Sequence, residues 1–238
     1  MEKILLSIFV PCHNEENNIT NTLNNIKDGI QNISYEVLVS DDASKDKTIN
    51  MVEKFKTENP NINVKVFTNE INKGIGFNYY ATAHKAAGKY YMLINGDAVD
   101  PPEEIKKIVS NIGKSDMILT YIIDPRGIFR RTLSRLFVFI INLITFNNIK
   151  YYNGSNVHLL ENVKLYSGGS SGFGYQAELI TSQLRQKKTY TEVEIEQYSS
   201  SGTSESLTPG SVPSVITSII IIFLRQIIYL VKKILNIK

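Results

Sequence analysis

The chain has 238 residues, 42% of them hydrophobic, with a formal net charge of +3. That length accommodates one ordinary domain with an appendage and buries a sizeable core, whereas so small a charge argues against nucleic acid as the main partner. Cys12 is the only cysteine, which excludes an intramolecular disulfide and fits a reducing compartment.

Ile4 to Val10 is a continuous apolar run of strand length ended by Pro11, and Asn17 to Ile30 places Ile19, Leu23, Ile26 and Ile30 at helical spacing. The apolar N-terminal run is short and lacks a small-residue cleavage site, so it is not expected to be a signal peptide. A second unit follows, with a strand at Tyr35 to Val39, a loop at Asp41 to Asp46 and a helix over Thr48 to Thr57. A third has a strand at Asn63 to Phe67, a Gly-containing turn at Asn72 to Gly76, a helix over Phe77 to Ala87 and a strand at Tyr90 to Ile94. Pro101 and Pro102 open the next helix, with Glu103 and Glu104 in its first turn, and Met117 to Ile123 reads as one more strand. This alternation predicts an α/β fold with a mainly parallel sheet and helices on both faces.

The remaining elements are marked by charge. From Pro125 to Lys150, and again after Glu205, every charged side chain is basic. Ile128 to Phe146 suits a helix with Arg131, Arg135, Asn142 and Thr145 along one face; Val212 to Lys238 suits a helix with a narrow polar stripe that includes Ser214, Ser218 and Arg225. Apolar, purely cationic helices suit a membrane surface bearing anionic lipid. Arg225 in mid-helix would cost roughly 2.5 to 3.5 kcal/mol in a spanning segment, which favours an amphipathic helix lying in the interface. The expected organisation is a catalytic domain over residues 1–210 and a membrane-associating helix over 211–238.

Two predicted strand ends carry acids, Asp41 and Asp42 in VSDDASKD and Asp97 in INGDAVDPPEE. The carboxyl ends of strands in such a sheet line one crevice, where gathered carboxylates need a cation or hydrogen-bonding ligand. A nucleotide carried with a divalent metal supplies both.

The segments FVPCHNEENNI, VLVSDDASKDKT, NKGIGFNYYATAHKAAGKYYMLINGDAVDPPEEI, YYNGSNVHLL, SGFGYQAELI and TEVEIEQYSSSGTSESL occur in that order. Together they resemble glycosyltransferase family 2, with the GT-A fold, and most of all its dolichol- and polyprenol-phosphate sugar synthase branch. The resemblance implies that Pro11, Asn14 and Glu15 contact the base and ribose of a UDP- or GDP-sugar, although a plain strand-to-helix turn capped by Asn14 or Asn17 reads equally from turn chemistry. It implies that Asp42 hydrogen-bonds the base with Asp41 beside it, and that Lys73 lies near the diphosphate. Asn95, Gly96 and Asp97 occupy the place of the family's DxD motif, which holds Mg²⁺ or Mn²⁺. Asn95 stands where that motif has its first carboxylate, and Val99 where the prenyl-phosphate branch has a glutamine. Metal use is therefore expected, through Asp97 and Asn95.

On the acceptor side the resemblance implies that Arg126, Arg130 and Arg131 grip a lipid phosphate, since arginine matches phosphate oxygens bidentately. A hydroxyl acceptor would instead need a base, for which Glu178 is the candidate, with Gln176 near the acceptor or the metal. The stretch YSSSGTSES lacks the basic residues that prenyl-phosphate relatives carry there. The expected function is an inverting glycosyltransferase at the cytoplasmic face of the cell membrane, acting on a polyprenyl-phosphate-type lipid. The alternatives are transfer to a hydroxyl of a surface glycan, or nucleotide-sugar binding without turnover.

Overall fold

The computed structural model describes residues 3–122, 128–169, 172, 174–198 and 212–236. In chain order its elements are β1 Leu6–Cys12, α1 Ile19–Gly29, β2 Tyr35–Asp41, α2 Thr48–Glu58, β3 Asn63–Thr68, α3 Ile75–Ala83, β4 Tyr90–Leu93 and α4 Pro102–Val109. There follow β5 Met117–Ile122, α5 Ile128–Thr145, β6 Val157–Leu159, α6 Leu160–Lys164, α7 Tyr175–Arg185, β7 Tyr190–Ile195 and α8 Val212–Ile234.

The strands form one sheet in the order β3-β2-β1-β4-β6-β5-β7. All pairs are parallel except those of β6 with β4 and with β5. Strand periodicity decides which side chain enters which layer. Ile8 and Val10 of β1 pack with Ile19, Leu23 and Ile26 of α1, Val52 and Phe55 of α2 and Ile105 of α4. Phe9, between them, points to the opposite face, with Tyr79 and Ala83 of α3 and Tyr175 and Leu179 of α7. A third cluster, around Met117, Leu119, Ile141, Tyr152 and Ile180, joins α5 and α7 to Ile222 of α8. The expected α/β sheet with helices on both faces is the one observed.

Three local expectations change. β1 continues through Pro11, which sits opposite Ser40, to Cys12; β4 pairs only as far as Phe9, so the missing Pro11 N–H falls where β1 has a neighbour on one side only. The helix α3 starts at Ile75, directly after Gly74 at φ 84°, and strands β6 and β7 were not among the expected elements, although Val193 and Ile195 of β7 alternate with Glu192 and Glu194. The larger change concerns the cationic helices. In α8 the part of the predicted polar stripe from Ser214 to Arg225 faces the protein, whereas Lys232 and Asn236 are exposed: Ser218 and Ile222 are fully buried and Gln226 nearly so, while Phe223, Leu224, Ile227 and Ile228 are exposed. In α5 Thr145 is buried and Asn142 bonds to Ile149 and Tyr152, while Leu136, Phe139, Leu143 and Phe146 are exposed. Glycines explain how closely α8 approaches. A Cβ at Gly174 would lie 2.1 Å from Ser218 Oγ, and one at Gly172 would lie 2.5 Å from Ser214 Cβ.

Candidate active site

The carboxyl ends of β1, β2 and β4 meet where the strand order changes direction, the topological switch point at which α/β sheets bind ligands. The loops leaving β1 and β2 are stitched together. Asn14 N–H donates to Ser44 Oγ at 2.8 Å, Lys45 N–H to Asn14 Oδ1 at 2.8 Å, and Glu15 N–H to Thr48 Oγ1 at 2.8 Å. Asn14 and Ala43 hold left-handed backbone at φ 56° and 65°, a strained arrangement for non-glycine residues that these cross-loop bonds maintain. The helix cap position is Asn18, which makes no side-chain cap hydrogen bond, so neither Asn14 nor Asn17 caps α1. Pro11 and Glu15 are half-buried at the lip, and the Asn14 amide is committed to Lys45 and His13.

Asp41 and Asp42 are both buried. Asp41 accepts from Ser44 N–H, which tightens its own turn. Asp42 accepts from Asn69 Nδ2 at 2.9 Å, Lys73 N–H at 2.8 Å and Gly74 N–H at 2.9 Å. Burial alone would raise its pKa, but these donors, led by the Lys73 amide, hold it below the ordinary value. Asp42 therefore fixes the Gly74 loop at the crevice wall. The exposed Lys73 ammonium lies over the Phe77 ring, 4.9 Å from its centroid.

The Asn95-Gly96-Asp97 turn is held against β1 and α1. A Cβ at Gly96 would fall 2.7 Å from Pro11 O, so only glycine permits this approach. Thr22 Oγ1 donates to Gly96 O at 2.8 Å and accepts from Ala98 N–H at 3.0 Å, and Asn25 Nδ2 donates to Asp100 O at 3.1 Å. Sequence reading missed Thr22 and Asn25; the signal available was a polar pair at helical spacing in an otherwise apolar face. Asn95 and Asp97 are half-buried at the crevice.

Asp100 lies deeper. Its two oxygens accept from Ser155 and Gln197, at 2.8 and 2.7 Å. Burial raises its pKa to about 6, against those hydrogen bonds, and the neighbouring Asp97 charge adds to the rise. Asp100 is thus committed to the protein. Among the described residues no three His, Cys, Asp or Glu side chains form a ready metal cage. Asp97 and Asn95 fit a divalent cation that arrives with additional oxygen ligands, and the carboxylate charges crowded here are of the sign it would offset.

α7 packs against α8. Glu178 is 1% exposed, and Tyr166 donates to its Oε2 at 3.3 Å. Gln176, expected near the acceptor or metal, is 3% exposed, and its Oε1 accepts from the buried Asn156. Arg131 is half-buried in the first turns of α5. Arg126 and the Arg130 side chain lie outside the described residues, as does the stretch 199–211. The histidines take structural roles where they are paired. His13 Nδ1 meets Asp42 O at 2.7 Å, and His158 is fully buried beside Gln183, with burial lowering its pKa to about 4.

Residues 7–178 match the family model for glycosyl transferase family 2. The chain is 28% identical over 107 residues to dolichol-phosphate mannosyltransferase of Pyrococcus furiosus, covering 45% of this chain and 30% of that protein. It is 30% identical over 128 residues to poly(ribitol-phosphate) β-N-acetylglucosaminyltransferase TarS of Staphylococcus aureus, covering 51% of this chain and 22% of that protein. The chain thus spans a third or less of the length of these two relatives. In fold it is similar to glucosyl-3-phosphoglycerate synthase of Mycobacterium tuberculosis solved with Mn²⁺, UDP and glucosyl-3-phosphoglycerate, at a TM-score of 0.71 and 13% identity, covering 94% of this chain and 80% of that one.

Proposed function

The chain belongs to glycosyl transferase family 2, and we propose that it is an inverting glycosyltransferase that moves a sugar from a UDP- or GDP-sugar to a polyprenyl-phosphate-type lipid at the cytoplasmic face of a membrane. The observation that carries the lipid assignment is the exposed apolar residues of the two contacting helices α5 and α8. Phe139, Leu143, Phe223, Leu224, Ile227 and Ile228 are all exposed there, on helices whose charged residues are all basic. Pro213–Ile234 is also long and apolar enough to cross a membrane, with a mean hydropathy of 2.2. With the Arg225 stripe packed on the protein, we favour α8 seated in the interface.

In this reading Pro11, Asn14, Glu15, Asp41 and Asp42 bind the nucleoside, and Lys73 and Gly96 border the diphosphate. Asp97 and Asn95 would hold Mg²⁺ or Mn²⁺, whose charge would offset that of the nucleoside diphosphate leaving group. Arg126, Arg130 and Arg131 grip the acceptor phosphate and orient it for direct displacement. The test is product analysis with UDP-glucose, UDP-N-acetylglucosamine and GDP-mannose on anionic vesicles with and without undecaprenyl phosphate. A lipid-linked sugar that appears only with the phosphate supports the assignment; transfer unaffected by its omission rejects it.

A second reading is favoured by the buried Glu178 and its hydrogen bond from Tyr166, which Arg225 of α8 holds in turn. Here the acceptor is a hydroxyl, as on a surface glycan, and Glu178 takes its proton. Loss of transfer in Glu178→Gln with donor binding intact would select it over the phosphate acceptor.

A further inference from the structure

A short hydrogen-bonded chain joins the C-terminal helix to the carboxylate on α7. Arg225 Nη1 donates to the Tyr166 hydroxyl oxygen, and the guanidinium lies over the Tyr166 ring, 5.1 Å from its centroid. Tyr166 in turn donates to Glu178 Oε2 at 3.3 Å. A phenol has one proton, and a donor from Arg225 on its oxygen leaves that proton directed at Glu178. The ring also packs against Tyr80, centroids 5.5 Å apart. Gly168 makes room for the guanidinium: it has φ +99°, and a Cβ there would fall 2.7 Å from Arg225 Nη2. The contacts of Ser214 with Gly172 and of Ser218 with Gly174 set the register of α8 along the same segment.

We propose that Tyr166 and Arg225 are positioning residues for Glu178, so that the seating of α8 on the domain sets the orientation of that carboxylate. The inference rests on the second reading above, in which Glu178 serves a hydroxyl acceptor. It makes the helix with the apolar outer face a working part of the site. Displacement of α8 withdraws Arg225, frees the Tyr166 hydroxyl to rotate, and loosens its hydrogen bond to Glu178.

The experiment measures kcat and KM for nucleoside diphosphate release from UDP-glucose, UDP-N-acetylglucosamine and GDP-mannose with Mn²⁺, water standing in for the hydroxyl acceptor. The full chain is compared with Tyr166→Phe, Arg225→Met, the double variant and Glu178→Gln. Tyr166→Phe keeps the ring and removes only the hydroxyl, so it tests the chain even where Arg225→Met loosens α8. Each single variant is expected to lower kcat about tenfold with donor KM unchanged, and the double variant to be no worse than the weaker single one. Arg225→Lys, which restores a donor, should recover part of the loss. Full kcat in both single variants, or losses that multiply in the double variant, would overturn the coupling while an inactive Glu178→Gln left the base assignment standing. A fully active Glu178→Gln, or no nucleoside diphosphate release by the unaltered chain from any of these donors, would overturn the base assignment and the coupling with it.

Discussion

Asp42 and Thr22 show how few side chains shape the crevice. Asp42 accepts from two consecutive loop amides, and Thr22 both donates to and accepts from the turn that carries Asp97. Thr22→Val keeps the shape of the side chain but leaves a carbonyl and an amide without that partner, so a loss of about 1–3 kcal/mol in chemical denaturation is expected. His158 gives a prediction of known sign. Its folded pKa is lowered from 6.5 to about 4, so the unfolded chain binds the extra proton between those values and the folded chain does not. Stability is therefore intact above pH 6.5 and is lost as pH falls toward 4, by about 3 kcal/mol for this one group. Denaturation midpoints for His158→Gln should be flatter across that window; an unchanged slope would contradict the assignment. The strand-end acids were legible because loop position and residue type coincide there. Thr22, Asn25 and the burial of Gln176 were not, because their partners are distant in sequence and only the fold brings them near.

The elements of the first half were legible in kind and near their boundaries, since apolar runs of strand length alternate with helical spacing. β6 escaped because a strand of three residues, Val157–Leu159, carries no period, and its buried His158 disguises it further. The helices α5 and α8 were legible as helices, but their orientation was not. A polar stripe reads as the wet face unless something else on the protein requires it, and here Gly172 and Gly174 admit the serines while Tyr166 takes Arg225. This packing makes a sharp prediction for Gly174→Ala. Its backbone lies at φ −82°, so the added methyl is not barred by conformation, but it would collide with Ser218. Overpacking of this kind costs about 1–3 kcal/mol, and limited proteolysis should cut α8 faster than in the unaltered chain. Equal cleavage rates would mean that α8 is not held by this contact.

For the whole molecule, three apolar clusters tie the sheet, its two helical layers and α8 into one described body with a crevice at the switch point and exposed apolar residues on α5 and α8. Removal of residues after Pro213 should release the protein from anionic vesicles in sedimentation, and undiminished binding would refute α8 as the anchor. The central claim is that the acidic strand ends bind a nucleoside diphosphate together with a cation, despite Asn95 in place of a carboxylate. Calorimetric titration of UDP and GDP, with and without Mn²⁺, into the full chain and Asp97→Ala tests this most directly. The account predicts that Mn²⁺ tightens binding of one of these nucleotides about tenfold or more in the full chain and has little effect in Asp97→Ala. Affinities unchanged by Mn²⁺ for both nucleotides in the full chain, or no binding at all, would contradict it.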